Sequence, residues 1–335
     1  MPSGSPDTTG RTPSVVDALR TELLARLETA LPAGHPSWTV VDFPMHLNCG
    51  DSALHLGVEA VAAARGASIR RIVDRKSYSA SVLSPESLPV LMAGGTWGGL
   101  YPTHHELRLR FLRDTAGRPA VQMAQSIQYV DETHREQLRR AVGEHGAFVL
   151  LVRDERSRDI AERDYDCEVR MVPDLAFALG GLQRLPASVP LVVQAREDKE
   201  SGRPPLAGES FDWLKAPPRS RVALTLRAAR RLNRFQTTTP AAPVAAVAAA
   251  GMRRLARANV DRARHLLSRG ERVVTDRLHG HVLSTLLGIP HVVVNDKFGK
   301  VRALHETWLS EDPTSVFAAS WAEVDGALEV LDARR

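Results

Sequence analysis

The chain has 335 residues, 43% apolar and 25% charged, an ordinary globular composition with length enough for two packed cores. Lysine and arginine outnumber aspartate and glutamate by 44 to 39, an excess that suits a small acidic substrate or an anionic membrane surface and does not require nucleic acid. No run is long enough to cross a bilayer, and the two isolated cysteines, Cys49 and Cys167, point to neither a disulfide framework nor a CxxC metal site.

Met1–Ser14 is polar and rich in Pro, Gly, Ser and Thr, without the apolar core of a signal peptide. A disordered leader and a cytoplasmic protein are expected. Val15–Leu31 places Val16, Leu19, Leu23, Leu24 and Leu27 on one helical face, and Pro32–Pro36 breaks it. Trp38–Phe43 reads as a strand, followed by the loop Pro44–Asp51 and a helix over Ser52–Arg65. Strands are predicted at Ile69–Val73, Leu88–Met92, Pro119–Met123, Ala147–Val152 and Val169–Val172, with helices at Thr103–Asp114 and His134–Glu144 between them. A second set begins with a strand at Pro190–Gln194. It continues through an irregular loop, Ser201–Pro218, an arginine-rich segment, Val222–Arg234, and an alanine-rich helix, Val244–Ser268. Trp321–Leu331 is a C-terminal helix, expected by analogy to return to the first half. Strands alternating with helices make the fold class α/β with parallel sheets. The segments are 1–36, leader and first helix; 37–182 and 188–320, two α/β domains; and 321–335, the last helix. The connector lies near Gly180–Pro190.

The most informative stretch is Val273–Lys300, read as strand, turn, helix, turn, strand and basic loop. Leu278, Val282, Leu283, Leu286 and Leu287 repeat at helical spacing, and Gly288 with Pro290 ends the helix. Asp276, Arg277, Leu278 and His279 therefore sit between a strand's carboxyl end and a helix's amino end, where open α/β sheets bind ligands. Free N–H groups and the helix dipole favour an anion there. Arg277 adds a planar fork suited to phosphate or carboxylate, and His279 a group that exchanges protons near neutral pH. Lys297 and Lys300 follow. The bland alternative is an Arg277–Asp276 pair with ordinary helix-end histidines.

Thr275-Asp276-Arg277-Leu278-His279-Gly280-His281, Leu287-Gly288-Ile289-Pro290 and Phe298-Gly299-Lys300 together resemble the C-terminal signature of the polysaccharide pyruvyl transferase family. The resemblance runs from about Val41 to Leu309. It implies a GT-B-like fold, two Rossmann-like domains facing across a cleft, and transfer of an enolpyruvyl unit from phosphoenolpyruvate to a sugar of a cell-surface or exported polysaccharide. It implies a donor site at Arg277, Leu278 and His279 on the C-terminal side, an acceptor side in the N-terminal half, and no cofactor or metal besides the donor substrate. Peripheral contact with membrane-bound glycan machinery also fits.

Other residues keep two readings. In Asn48-Cys49-Gly50-Asp51, Asp51 is either the cap of the following helix or a group that orients or deprotonates a sugar hydroxyl. The resemblance places Asn48, Gly50 and Asp51 facing the cleft, with His46 and His55 as weaker candidates. Ala93–Gly99 has neither the GxGxxG of a dinucleotide site nor a P-loop. It resembles the family's Gly-Gly-Gly-Asn-Phe-Gly-Asp with Ala93 first and Gly99 where the acid stands. Gly94, Gly95 and Trp97 are acceptor candidates there, Trp97 either stacked on a sugar or buried against the sheet. Tyr101-Pro102, Glu106, and Gln125-Ser126-Ile127, read as a turn, continue the resemblance. Arg153 in Arg153-Asp154-x-x-Ser157 and Arg196 in Arg196–Glu200 are donor candidates by the resemblance, and a helix start and a solvated charge run by the residues alone. Asp174 after Pro173 is read as structural. Arg219–Arg234 is read as a solvated helix face, and His104 and His105 lack partners at metal-ligand spacing. The competing functions are a GT-B-like glycosyltransferase using a nucleotide sugar and a non-catalytic glycan-binding relative.

Overall fold

The computed structural model describes residues 14–198, 210–238 and 242–334. The leader ahead of Ser14 and the first half of the 201–218 loop lie outside the described residues. Ser14 is a helix cap: its hydroxyl accepts the Asp17 N–H at 3.2 Å and starts α1 (Val15–Ala30).

Eleven elements then build one sheet and its covering helices: β1 (Ser37–Val41), α2 (Cys49–Ala64), β2 (Ser68–Val73), β3 (Leu88–Leu91), β4 (Gly94–Trp97), α3 (Pro102–Asp114), β5 (Ala120–Ile127), α4 (Glu132–Gly143), β6 (Phe148–Val152), α5 (Glu155–Asp164) and β7 (Glu168–Met171). The strand order is β2-β1-β3-β5-β6-β7, with β4 alongside β5, and every pairing is parallel. After a 3₁₀ turn at Leu175–Leu179, residues 180–188 carry no regular element and lead to the second sheet. Its elements are β8 (Val189–Gln194), α6 (Arg221–Thr238), α7 (Ala242–Ser268), β9 (Gly270–Thr275), α8 (Leu278–Leu286), β10 (His291–Val294), α9 (Lys300–Trp308), β11 (Ser315–Ala318) and α10 (Val324–Ala333). Its strands run β8-β9-β10-β11, again all parallel. No described helix is long and apolar enough to cross a membrane.

One apolar cluster runs from Val16 on α1 to Leu309 after α9 and joins a face of each sheet, so no solvent layer separates them. A second cluster, around Trp97, Phe111 and Leu150, fills the other face of the first sheet. The third lies under α10, where Ala327 and Leu331 cover Val274, Val292 and Val294. The last helix thus stays on the second sheet and does not return to the first. Arg272 pairs with Asp332 there, and Arg334 donates to the Ser315 carbonyl at 2.9 Å.

Three further differences have physical causes. Gln125, Ser126 and Ile127 are strand residues of β5 and not a turn. Their side-chain and backbone groups find partners in neighbouring elements: Gln125 donates to the Met92 carbonyl at 2.9 Å and Ser126 to Asp154 at 2.6 Å. The glycine-rich segment at Ala93–Gly99 holds β4. The basic loop ends in α9, whose N-terminus is fixed by Asp296 accepting the Val301 N–H at 3.0 Å.

Gly57 shows how closely α2 approaches the chain at Leu175. A β-carbon on Gly57 would lie 2.0 Å from the Leu175 carbonyl oxygen, a backbone atom that cannot swing away. Gly57→Ala is expected to lower stability by roughly 1–3 kcal/mol, read as a fall in the urea midpoint with an unchanged slope.

Candidate active site

In the first sheet β1 lies between β2 and β3, so successive connections leave it in opposite directions, and a crevice opens at the strands' carboxyl ends. A cavity of about 320 Å³ occupies this place. Asp42 and Met92, just past β1 and β3, and Arg153, just past β6, form one part of its wall. Arg196 after β8, Arg277–His279 after β9 and Lys300 after β10 form the other. Strand ends of both sheets therefore converge on one space.

The cations are held by carboxylates behind them. Arg277, 4% exposed, donates through Nε to Asp212 Oδ1 at 2.7 Å and through Nη2 to Asp212 Oδ2 and to Asp198 at 3.0 Å. Asp198 also accepts two bonds from Arg196, at 3.0 and 3.1 Å. One carboxylate thus ties the arginines of two strand ends into a fixed pair. Arg196 is not part of a solvated charge run, and Arg277 does not pair with Asp276. Asp276 instead accepts the Arg196 backbone N–H at 2.7 Å, and its other oxygen is buried without a partner.

Burial pushes the Asp276 carboxyl up to about 6, against the pull of the Arg196 N–H and the two guanidiniums. A raised acid favours the folded state only while protonated. Its contribution is full below the ordinary value near 4 and is lost as pH rises through about 6. Unfolding free energy is expected to fall by on the order of 2–3 kcal/mol from this group between pH 4 and 7, and Asp276→Asn should flatten that slope in urea titrations.

A second cluster surrounds His279. Arg153, 2% exposed, donates to Asp174 at 2.8 Å and to the Ser126 hydroxyl at 3.0 Å. His279 Nε2 stands 3.4 Å from the same Asp174 oxygen and 3.5 Å from Arg153 Nη1. Burial opposes ionisation of Asp174, but His279, Arg153 and the Ala176 N–H outweigh it and hold the carboxyl well below its ordinary range. A β-carbon on Gly95 would lie 3.3 Å from Arg153 Nη2 and 3.5 Å from Lys300 Nζ. The glycine therefore leaves room beside two cations, a place shaped for an anion's oxygens.

The opposite wall carries proton acceptors. Asn48, and not Asp51, caps α2: its Oδ1 accepts the Gly50 N–H at 3.1 Å, and its Nδ2 donates to Asp51 at 2.8 Å. Asp51 lines the cavity with His46 Nε2 at 3.6 Å. Beside them His104 Nδ1 meets Asp42 at 2.8 Å. Asp42 has φ 76°, and no other non-glycine among the described residues has a positive φ; such strain gathers at functional sites. Arg108, wholly buried behind the pair, donates to the Thr96 hydroxyl at 2.7 Å and to the His104 carbonyl at 3.0 Å.

The sequence profile described as polysaccharide pyruvyl transferase matches residues 48–297, most of the chain. The chain belongs to that family. Pyruvyl transferase 1 of Schizosaccharomyces pombe is 30% identical over 319 residues, 89% of this chain and 76% of that protein. EpsO of Bacillus subtilis is 25% identical over 285 residues, 82% of this chain and 86% of EpsO. A crystal structure of a functionally uncharacterised protein from Klebsiella pneumoniae superposes with a TM-score of 0.57 at 18% identity, over 90% of this chain and 98% of that one, and shares the fold.

For this polysaccharide pyruvyl transferase family member, the structure also removes residues from the cavity. Trp97 is fully buried: its indole N–H donates to the Tyr165 hydroxyl at 2.7 Å and its ring stacks on Phe148, so it does not face a sugar. Lys297 is exposed and lies over the Phe298 ring, while Lys300, three residues further on at the start of α9, lines the cavity. Gly50 is a packing position: a β-carbon there would lie 2.4 Å from the His279 ring. Gly94 lines the cavity at φ 151°, and Gly95 sits with the cations and not with the acid-rich wall. His55 is in the core, edge-on to Phe43 at 4.7 Å. Burial pushes Cys49 up to about 11 and Cys167 up to about 12, which leaves both as inert thiols.

Asp42, Asp198, Asp212 and Asp296 are parts of the site that spacing did not isolate, and Asp174 is far more than a turn residue. Asp212 had one readable signal. It is the last acid before a 48-residue stretch, Trp213–Val260, with no acid at all.

Proposed function

We propose that the protein transfers the enolpyruvyl unit of phosphoenolpyruvate to a sugar of a cell-surface or exported polysaccharide and closes a pyruvate ketal. The observation that carries this reading is the convergence of Arg153, Arg277 and Lys300 with His279 on one small cavity. Phosphoenolpyruvate has two acidic groups on a three-carbon frame, and guanidinium forks suit both phosphate and carboxylate. Residues 37–182 form the acceptor half and 188–320 the donor half of a GT-B-like pair, at work in the cytoplasm beside membrane-bound glycan machinery.

In this mechanism Arg277, Arg196 and Lys300, with the amino end of α8, hold the donor's anionic groups. His279 gives its Nδ1 proton to the methylene carbon, and the positive charge left at the adjacent carbon has oxocarbenium character. Asp174, facing Nε2, stabilises the imidazolium before transfer and keeps the ring oriented. A sugar hydroxyl attacks that carbon, Asp51 takes the hydroxyl proton, and the carbon–oxygen bond to phosphate breaks. A second hydroxyl attacks the same carbon to close the ring. Two hydroxyls lose protons in all, and the acceptor wall offers two acceptors, Asp51 beside Asn48 and His104 beside Asp42. Asn48 and Gly94 complete the floor on which the sugar rests.

Incubating the enzyme with phosphoenolpyruvate and candidate sugars tests the reading, with released phosphate and the mass of the acceptor as readouts. Phosphate release and a ketal on the sugar are expected. Nucleotide release from a nucleotide sugar would mark a glycosyltransferase, and acceptor binding without turnover of any donor a glycan-binding relative.

A further inference from the structure

The basic excess is concentrated in one place. Residues 213–260 contain ten lysines and arginines and no aspartate or glutamate, so the rest of the chain holds 44 less ten, or 34, basic residues against all 39 acids. The protein is therefore polarised, with a cationic segment on a net acidic body.

That segment folds as the antiparallel hairpin of α6 and α7. One face is buried: Leu226, Ala229, Met252 and Leu255 enter the main core. Leu232 seats on Gly251, where a β-carbon would lie 2.9 Å from its Cδ1. The outer face carries two separate hollows, one toward each end of the hairpin. The apolar end is lined by Leu232, Phe235, Pro243, Val244 and Val247, and Phe235 and Val247 are 53% and 54% exposed. The other end is lined by Arg221, Arg253, Arg254, Arg257 and Arg262, with Asp261 as its acid. Helical spacing puts both ends on one side, through Arg221, Thr225, Leu232 and Phe235 on α6 and Val247, Arg254, Arg257 and Asp261 on α7.

We infer that this outer face of the α6–α7 hairpin docks on the surface of an anionic phospholipid bilayer. An aromatic and aliphatic end suits the headgroup–acyl boundary, and guanidiniums behind it suit lipid phosphates. Two copies of this face would repel each other, which disfavours a self-paired dimer. A nucleic acid would use the arginines and leave the exposed Phe235 and Val247 in water. The hairpin is also bonded to the cavity rim: Arg230 donates to the Met45 carbonyl at 3.1 Å, Asn259 to the His46 carbonyl at 3.0 Å and Arg262 to the Leu47 carbonyl at 2.7 Å. The element that meets the bilayer thus carries one wall of the cavity. Docking is independent of which donor the cavity takes.

Flotation of the full chain with vesicles tests this. The protein is expected to float with vesicles of phosphatidylcholine plus phosphatidylglycerol, to stay behind with phosphatidylcholine alone, and to be released by added salt. Arg254→Ala with Arg257→Ala should lower partitioning about fivefold for each arginine removed. Phe235→Ser with Val247→Ser should also lower it, and should leave the salt dependence in place. Arg139→Ala with Arg140→Ala on α4, far along the chain from the hairpin, should change nothing. The inference is overturned if the wild type ignores anionic vesicles, if it binds neutral vesicles as well, if both hairpin variants float like the wild type, or if duplex RNA displaces it fully from vesicles.

Discussion

Replacing Arg277 with alanine is expected to destabilise the fold by about 3–5 kcal/mol and to weaken donor binding by about 10- to 100-fold. The first effect follows from what lies behind the guanidinium. Asp212 accepts both Nε and Nη2 in a buried position, and its side chain is 1% exposed. Removing the fork leaves that carboxylate without its charge partner, and Asp198 keeps only Arg196 of the two arginines it bridged. The second effect follows from the loss of a charge-assisted contact to the donor. Arg277→Lys separates the two: an ammonium keeps the charge but cannot span both carboxylates and a ligand, so stability should recover more than donor affinity. Urea midpoints and calorimetric titration with phosphoenolpyruvate read the two effects independently. An alanine variant with wild-type stability and affinity would mean that Arg277 is neither anchor nor ligand.

Much of the fold was legible because α/β sequences announce themselves by period. The apolar run at Phe148–Val152 and the helical stripe of α8 are buried throughout, and each reads plainly as strand or helix. Boundaries failed where polar residues are satisfied by distant partners. Gln122 and Gln125 look like the end of a strand, yet both are fully buried in β5, where their amides donate to the Met92 carbonyl. The start of α9 was hidden for a similar reason, since the residue that fixes it, Asp296, precedes it across a glycine-bearing turn.

The site was legible by halves. Arg277, His279, Arg153 and Arg196 stand at strand ends, and a strand end is a sequence-local property. Their partners are not local. Asp212 reaches Arg277 across 65 positions, and Asp174 reaches His279 from the other sheet. No spacing rule foretells which of 39 acids will fold beneath a given arginine. Trp97 marks the opposite failure. A tryptophan in a glycine-rich turn reads equally as sugar platform or core, and only the Tyr165 hydroxyl and the Phe148 ring decide for the core.

His279→Gln is expected to lower turnover by about 10²- to 10⁴-fold while leaving donor affinity within a fewfold of wild type. Glutamine preserves a polar contact toward Asp174 and Arg153, so the pair beneath stays hydrogen-bonded, but an amide transfers no proton at neutral pH. The cations that hold the donor are untouched, which confines the change to the chemical step. Gly50→Ala supplies an independent probe, because its new methyl would occupy the space of the His279 ring 2.4 Å away. It should reduce turnover through displacement of the imidazole, with His279 still present. Asp174 is held below its ordinary range, so its contribution to stability is complete above pH near 4 and is lost only as pH falls below that value. An acid limb in the rate profile at milder pH therefore belongs to a group other than Asp174. Equal turnover in wild type and His279→Gln, with Gly50→Ala slow, would shift the proton donor to a neighbour that the ring merely positions.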